Sequence, residues 1–293
     1  MYIRPFILLF FFFVTLSSAQ ETKLIAFYTK NIAKVSNKDV QIAIRKILQT
    51  GSQKSGINLQ EEFPKSISNI IDSFINGKYA LITLNTYDVL QNYEKISPYI
   101  GKIWSIAKKK RSPEMRYLLL VKKRDPIESS VLHRGARVAM LNFDYMQNIY
   151  LESYLLENYH QSSKEFFKKL SFYSSSSQVI LKLFFSKVDA CVISEHAYNI
   201  AVELNPQLKK HIKILASSKK IFPSVGLTIS RKGDREIAKL YDTFSRDKND
   251  IKTLSNVLML YKAEAIVPFS QEKMDRLYAF YKHYHALKAE HEQ

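Results

Sequence analysis

The N-terminal part of the chain alternates short apolar segments with amphipathic segments of helical spacing. Residues 23–28, 57–63 and 79–84 have the short, turn-bounded character of buried strands. Between them, apolar side chains recur every three to four residues, as on one face of a helix; these faces are Val40, Ala43, Ile44, Ile47 and Leu48, then Ile67, Ile70, Ile71, Phe74 and Ile75. The resulting βαβαβ order predicts a parallel sheet with right-handed crossovers.

The same alternation begins again after a basic, proline-containing stretch, "AKKKRSPEM", at residues 107–115. The apolar segments beyond it predict further strands at residues 116–122, 137–141, 171–173, 188–194 and 211–216. The helical faces between these strands are Met146, Ile149, Tyr150, Ser153 and Tyr154, then a helix centred on Phe166, Phe167 and Leu170, then residues 179–185. The chain is therefore predicted to form a second α/β unit after the first.

The segment from residue 217 onward predicts one strand, at 225–230, and then helices. Their apolar faces are Ile237, Leu240, Tyr241 and Phe244; Ile251, Leu254, Leu258 and Tyr261; and Met274, Leu277, Tyr278 and Tyr281. Such a set cannot easily close a core of its own, so we expect it to pack on the first unit. The predicted domains are residues 20–116 with 217–293 and residues 117–216. The chain is expected to cross between these lobes twice, near residues 117–122 and 212–218.

The first nineteen residues have the pattern of a secretory signal peptide. Arg4 precedes an apolar run at residues 6–16, and the small residues Ser17, Ser18 and Ala19 follow it. The run is shorter than the roughly 20 residues that cross a bilayer, and no second run of that length follows. Because Gln20 stands where a lipoprotein would have cysteine, we expect an exported, periplasmic protein without a lipid anchor or a membrane span after cleavage.

Composition narrows the class of partner. The chain has a single cysteine, so no internal disulfide can form. Its 44 Lys and Arg against 27 Asp and Glu give a net charge of +17, which suits an anionic ligand, an anionic membrane surface or nucleic acid about equally. Export argues against nucleic acid. The charges are scattered over many helices, which is typical of a basic solvated surface.

Polar residues follow the predicted strands, and open parallel sheets bind ligands outside the carboxyl ends of their strands. We therefore expect a cleft between the lobes to collect these residues. The candidate ligand-binding residues are Tyr28, Thr29, Thr86, Tyr87, Asn142, Asp144, Ser174, Ser175, Ser176, Ser177, Ser194 and Glu195. The serine run suits an anion, because free N–H groups at a helix start attract negative charge. Serine is also the ordinary helix cap, so a purely structural role stays open.

Catalysis and metal binding find little support in the sequence. Cys191 lies in the middle of a predicted strand, where a thiol is buried and inert, although His196 follows five positions later. His283 and His285 are two residues apart, which on a helix places them on nearly opposite sides. The glycine-rich phosphate loop and the common hydrolase and metalloprotease motifs are missing. We predict a protein that is not an enzyme and that has no cofactor and no metal.

The stretch "VDACVISEHAYNIAVELNPQLKKHIKILASS", after the helix "SSSSQVILKLFFSK", resembles the second lobe of the phosphate- and phosphonate-binding (PhnD-like) proteins of ABC transporters. It is most similar to a branch with "ELNPQL" after the strand. The resemblance implies a type II periplasmic binding fold, in which each of two lobes is a mainly parallel sheet flanked by helices and the chain crosses twice.

The same resemblance implies capture of a small polar or anionic ligand, phosphonate- or phosphate-like, for an ABC permease. The sequence departs from the pattern of this family in two places. Residues 142–145, "NFDY", replace a loop of serines and threonines, so that the carboxylate of Asp144 would repel an oxyanion unless it is turned away or protonated, and Ala80 replaces an acidic residue. Two alternatives stay open: a periplasmic ligand sensor that serves a membrane receptor kinase, and an enzyme built on the same fold.

Overall fold

The computed structural model describes residues 21–28, 37–107, 112–124, 131–246, 258 and 263–293. The strands in these residues are β1 (Lys23–Phe27), β2 (Leu59–Glu62), β3 (Tyr79–Asn85), β4 (Ile100–Ala107), β5 (Glu114–Met115), β6 (Tyr117–Lys122), β7 (Arg137–Leu141), β8 (Lys169–Tyr173), β9 (Ala190–Ser194), β10 (Ile212–Ser217), β11 (Phe222–Pro223), β12 (Gly226–Arg231) and β13 (Ala265–Pro268).

The helices are α1 (Asn37–Ser55), α2 (Ile67–Ile75), α3 (Thr86–Gln91), α4 (Tyr93–Ile96), α5 (Tyr145–Tyr159), α6 (Ser163–Phe166), α7 (Ser176–Phe184), α8 (Glu195–Leu204), α9 (Gln207–His211), α10 (Arg235–Arg246) and α11 (Gln271–His291). None of the helices in the described part of the chain combines the length and the apolar character needed to cross a bilayer.

Two mixed sheets form the centres of two lobes. The first, with the order β13-β4-β12-β3-β1-β2, is the centre of lobe 1, and the second, β10-β6-β9-β7-β8, is the centre of lobe 2. Strands β1, β2 and β3 are parallel, as are β7, β8 and β9. The remaining pairs are antiparallel: β12 with β3 and with β4, β13 with β4, β6 with β9, and β10 with β6. The two-lobed α/β class is confirmed, and the expectation of mainly parallel sheets is refined to sheets that are parallel in one half.

The last part of the chain was expected to pack on the first lobe; β12 and β13 join the first sheet, whereas α11 packs against α5 of lobe 2. Strand β12 lies between β3 and β4, and the buried Met274 and Leu277 of α11 join the apolar core. Strands β4 and β13 were not predicted, since Gly101 and Lys102 interrupt the first and the second has only four residues. The helix predicted around Ile251 and Tyr261 lies outside the described residues, apart from Leu258.

The prediction that Leu170 belongs to a helix was wrong. Helix α6 is a single turn closed by a capping box between Ser162 and Glu165, and the chain is extended from Phe167 onward. Leu170 then lies in β8, where it pairs with Val138 of β7. The pairing of neighbouring strands outweighs the local helical spacing at this point.

The two connections between the lobes lie side by side. Strands β5 and β11 pair antiparallel, with Met115 opposite Phe222. Next to them, the backbone N–H of Ser218 donates to the carbonyl of Tyr117, and the N–H of Tyr117 donates to Oγ of Ser218, each at 2.9 Å. Residues 117–122 and 212–217 themselves form β6 and β10 inside the second sheet, so the crossings lie immediately beside the predicted positions. The domain boundaries predicted from the sequence remain a proposal.

Helix α11 links the two lobes a third time. Near its start, the hydroxyl of Tyr278 donates to Glu94 of lobe 1 at 2.7 Å. Farther along, Nε2 of His283 lies 2.8 Å from the carboxylate of Glu157, and Nε2 of His291 lies 2.8 Å from that of Glu165. Both carboxylates belong to helices of lobe 2. Any change in the angle between the lobes must therefore also move α11 against one of them.

A Gly226→Ala substitution tests the contact between β12 and β3. A Cβ atom at Gly226 would lie 2.6 Å from the carbonyl oxygen of Leu84, so the strands would have to separate. We expect the free energy of unfolding to fall by about 1 to 3 kcal/mol, measured by urea denaturation. Ser224→Ala, in the same segment, removes only a long hydrogen bond of 3.4 Å and should cost less than about 1 kcal/mol. Equal stability of the two variants would contradict this packing.

Candidate functional site

A cleft of about 470 Å³ lies between the two lobes. Its polar lining comes from the carboxyl ends of β3, β7, β8 and β9, as expected for ligand sites of α/β sheets. Met115, Tyr117, Pro223 and Ser224 of the connecting segments also line the cleft. The predicted residues found in this lining are Thr86, Tyr87, Asn142, Asp144, Ser174, Ser175, Ser176, Ser177 and Ser194.

Three predicted residues lie elsewhere or cannot be placed. Tyr28 is outside the cleft lining, packed against the core of the molecule, with its N–H donating to the carbonyl of Thr83 at 3.0 Å. Glu195 also lies outside the lining, because its carboxylate accepts a hydrogen bond from Arg116 at 2.6 Å. Thr29 falls outside the described residues.

Three longer helices begin at this cleft with their N-terminal residues in its lining. Asp144 is the N-cap of α5, Ser175 of α7 and Ser194 of α8. Oγ of Ser175 accepts from the N–H of Gln178, and Oγ of Ser194 accepts from that of Ala197, both at 3.3 Å. The N–H groups of a first helical turn lack intrahelical acceptors and carry the positive end of the helix dipole. The starts of α7 and α8, which are capped by serine, therefore direct the positive ends of two helix dipoles toward the cleft, whereas the start of α5 is capped by the carboxylate of Asp144.

The four serines at residues 174–177 differ in their contacts. Ser175 serves as a helix cap, which is the structural role left open by the sequence. Ser174 donates to the side-chain carbonyl of Gln178 at 3.2 Å. Ser176 and Ser177 occupy the first two positions of α7, where they line the cleft without capping the helix. Their hydroxyls and first-turn N–H groups are therefore not used in capping α7.

The carboxylate of Asp144 is held by two donors. Its Oδ1 accepts from the hydroxyl of Tyr117 at 2.7 Å and from the N–H of Gln147 at 3.1 Å. Burial, together with the nearby carboxylate, raises the pKa of Tyr117 well above its usual range, so this phenol remains a donor. The negative charge lies against the N-terminus of α5, which stabilises it. Asp144 thus lines the cleft, with one oxygen turned toward its own helix.

Gln147 is a positioning residue that the sequence did not reveal. It is fully buried; its Oε1 accepts from the N–H of Leu141 at 2.9 Å, and its Nε2 donates to the carbonyl of Val192 at 2.7 Å. These bonds join the ends of β7 and β9, from which the cleft loops extend. In the sequence, Gln147 is visible only as a polar residue next to the apolar face of α5. Its role could not be predicted from this, because one of its hydrogen-bond partners, Val192, is distant in the chain.

On the opposite wall, α3 presents residues of lobe 1. Oδ1 of Asn85 accepts from the N–H of Asp88 at 2.9 Å, and its amide group also contacts the carboxylate of Asp88. Asp88 is buried, and burial raises its pKa to about 6 although the hydrogen bond from Asn85 opposes the shift. Asn85 and Thr86, which stand beside Asp88 at the start of α3, line the cleft.

Aromatic rings join the lobes at the side of the cleft. Tyr87 of α3 stacks on Tyr145 of α5, with ring centroids 5.1 Å apart. Tyr281 of α11 meets the other side of Tyr87 edge-on, at 6.3 Å. The three rings come from different elements of both lobes and close this side of the cleft.

Cys191 is a structural thiol, as its position predicted. It is fully buried in β9, and burial raises the pKa of the thiol far above its usual range. The strand therefore places its last residue, Ser194, at the cleft and keeps its cysteine in the core. Among the described residues, no group of three or more His, Cys, Asp and Glu could hold a metal ion.

The apolar part of the cleft was not predicted. It includes Ala197, Ile200, Ala201 and Leu204 of α8, together with Phe143 of the loop after β7. Another depression, of about 560 Å³, lies on the outside of lobe 1 between β2 and α2. Because that depression uses one lobe alone and no N-terminus of the three longer helices, the interlobe cleft is the better candidate.

Comparison with known proteins gives a consistent result. A family model described as "ABC transporter, phosphonate, periplasmic substrate-binding protein" matches residues 32–273. No curated protein sequence matches the chain significantly.

Solved structures are similar over nearly the whole chain. XAC2383 from Xanthomonas citri bound to chloride ion has a TM-score of 0.63 and 11% identity, covering 92% of this chain and 99% of that one. A binding protein component of an ABC phosphonate transporter from Pseudomonas aeruginosa has a TM-score of 0.55 and 11% identity, covering 93% and 89%. PhnD1 from Prochlorococcus marinus in complex with methylphosphonate has a TM-score of 0.53 and 12% identity, covering 88% and 96%. These likenesses establish the type II periplasmic binding fold.

The raised pKa of Asp88 predicts an unusual pH dependence of stability. Asp88 keeps its proton up to about pH 6 in the folded protein but loses it near pH 3.8 in the unfolded chain. Its contribution to the free energy of unfolding is therefore fully present at low pH and is lost as the pH rises from about 4 to 6. The loss is up to about 3 kcal/mol. Asp88→Asn should remove this slope, measured by urea unfolding between pH 4 and 7.

Asp189→Asn is the matched control for this measurement. Arg137 lowers the pKa of Asp189 through hydrogen bonds, so that its contribution is present above the unfolded pKa and lost only in acid. The free energy of unfolding of Asp189→Asn should therefore lie below that of the wild type by a nearly constant amount between about pH 5 and 7. An unchanged slope in Asp88→Asn would contradict the assignment.

Proposed function

The chain belongs to the phosphonate-binding family of periplasmic substrate-binding proteins of ABC transporters, and on this basis we propose that it captures a small oxyanion in the interlobe cleft. We infer that the protein is exported to the periplasm and passes its ligand to an ABC permease. Phosphonates and related phosphate-like anions are the proposed ligands. The proposed contacts are Ser176 and Ser177, with the first-turn N–H groups of α7 and α8.

The observation that carries this proposal is the convergence of α5, α7 and α8 on one cleft. Their N-termini supply fixed dipoles and donors, which bind anions without a lysine or arginine. Among the described residues of the lining, Asp144 is the carboxylate, and its Oδ1 is already bonded to Tyr117 and to its own helix. We propose that the anionic ligand binds at α7 and α8, away from the carboxylate of Asp144 in the loop "NFDY".

We also propose that the protein binds its ligand without converting it. Cys191, the obvious nucleophile of the sequence, is sealed in the core, and the family consists of binding components of transporters. The cleft therefore acts by presenting donors to a bound solute. Asn142, Thr86 and Tyr87 are proposed to complete the contacts when the lobes close.

The affinity for an oxyanion should depend on Ser176 and Ser177. A double Ser176→Ala, Ser177→Ala variant keeps the cap at Ser175 and removes two hydroxyl donors, each worth about 0.5 to 1.5 kcal/mol. We expect methylphosphonate to bind about 5- to 150-fold more weakly, measured by isothermal titration calorimetry, with phosphate, methanesulfonate and acetate as comparison ligands.

Cys191→Ala is the control for this experiment. It removes a buried atom and should lower the free energy of unfolding by about 1 kcal/mol. Its affinity for methylphosphonate should equal that of the wild type. If Cys191→Ala abolished binding while the serine variant bound normally, the proposed site would be wrong.

Ligand binding should change the angle between the lobes. The paired connections at β5 and β11 leave few residues to absorb a rotation, so that the lobes should move as rigid bodies. Small-angle X-ray scattering should show a smaller radius of gyration with saturating methylphosphonate than without it. Identical curves, with binding shown by calorimetry on the same sample, would contradict closure.

A further inference from the structure

One face of α8 is apolar where it lines the cleft. Ala197, Ile200, Ala201 and Leu204 stand at the i, i+3, i+4 and i+7 positions of the helix, which places them in one stripe. At a rise of 1.5 Å per residue, the stripe is about 10 Å long. We call these four residues the α8 stripe.

The α8 stripe is largely uncovered. Leu204 is 81% exposed and Ile200 is 41% exposed, while Phe143 of the loop after β7 is 47% exposed. Single exposed apolar side chains are common on proteins, but contiguous ones that line a cleft mark a binding surface. The α8 stripe lies in the same cleft as the serine donors and begins three residues after Ser194, the cap of the same helix. A polar end and an apolar wall are therefore continuous in one cleft.

The size of the cleft supports an extended ligand. Its volume of about 470 Å³ corresponds to on the order of 15 water molecules at about 30 Å³ each. A methyl oxyanion has only a few non-hydrogen atoms, so it would leave most of this space to water. An extended carbon chain of roughly eight bonds, each near 1.5 Å, would reach about 10 Å and match the α8 stripe.

We propose that the ligand is an amphiphilic oxyanion, with its anionic head at Ser176 and Ser177 and an alkyl or aryl chain of up to about eight carbons along the α8 stripe. This inference rests on the proposed function and specifies the substrate class of the same cleft. The apolar chain is held by the removal of its surface from water against Ile200 and Leu204. The head is held by the donors already described.

A homologous series of ligands tests the inference. Methyl-, butyl- and octylphosphonate are titrated into the protein by calorimetry at one pH and salt concentration. A fully buried methylene is worth about 0.8 kcal/mol, or about fourfold in affinity. In a groove open on one side we expect about twofold per methylene, and so an octyl compound that binds about 100-fold more tightly than the methyl compound.

The α8 stripe is then altered with a matched control. In an Ile200→Gln, Leu204→Gln variant, the octyl advantage should fall below about tenfold, while the affinity for methylphosphonate stays within about twofold of the wild type. Methylphosphonate binding also reports that the variant is folded. Leu181→Gln with Phe185→Gln changes two residues that are 40% and 63% exposed and lie outside the cleft lining, and should leave the whole series unchanged.

The outcomes separate this inference from the proposed function. If methylphosphonate binds and the octyl compound binds no better, the inference is wrong and the proposed function stands. If the octyl compound is excluded, the α8 stripe is covered by lobe 1 on closure and the inference is again wrong. If no member of the series binds to the wild-type protein, the proposed function fails and the inference fails with it.

Discussion

The two passages of the chain between the lobes run side by side in opposite directions, and this pairing determines how the lobes face each other. β5 pairs with β11, and immediately beyond them β6 pairs with β10 at the edge of the second sheet. Paired segments cannot separate without breaking backbone hydrogen bonds, so the lobes keep a common axis. The carboxyl ends of the parallel strands in both lobes consequently face one gap, and their loops form one cleft.

The electrostatics of this cleft come from backbone geometry more than from charged side chains. The net charge of +17 is distributed over the surface, whereas the described lining of the cleft has its positive potential at the starts of α5, α7 and α8. The carboxylate of Asp144 lies at the start of α5, where its Oδ1 accepts hydrogen bonds from Tyr117 and from the N–H of Gln147.

Closure of the cleft is constrained by more than the two connections. The stack of Tyr87 on Tyr145 and the span of α11 from Glu94 to Glu157 already join the lobes in this structure. A rotation of one lobe against the other must either preserve these contacts or replace them with new ones. The apolar face of α8, with Leu204 largely uncovered, lines the same cleft.

Most of the strands and helices, the two-lobed class, the burial of Cys191 and most of the polar residues that line the cleft could be predicted from the sequence alone, because local periodicity and the position of loops after strands are recorded in neighbouring residues. Tertiary structure decided the rest. Leu170 lies in a strand because it pairs with Val138 of β7. The carboxylate of Glu195 accepts a hydrogen bond from Arg116 and lies outside the cleft lining. The buried side chain of Gln147 forms hydrogen bonds with the backbone of both β7 and β9. Such outcomes depend on partners distant in the chain, and no local pattern encodes which of them meet.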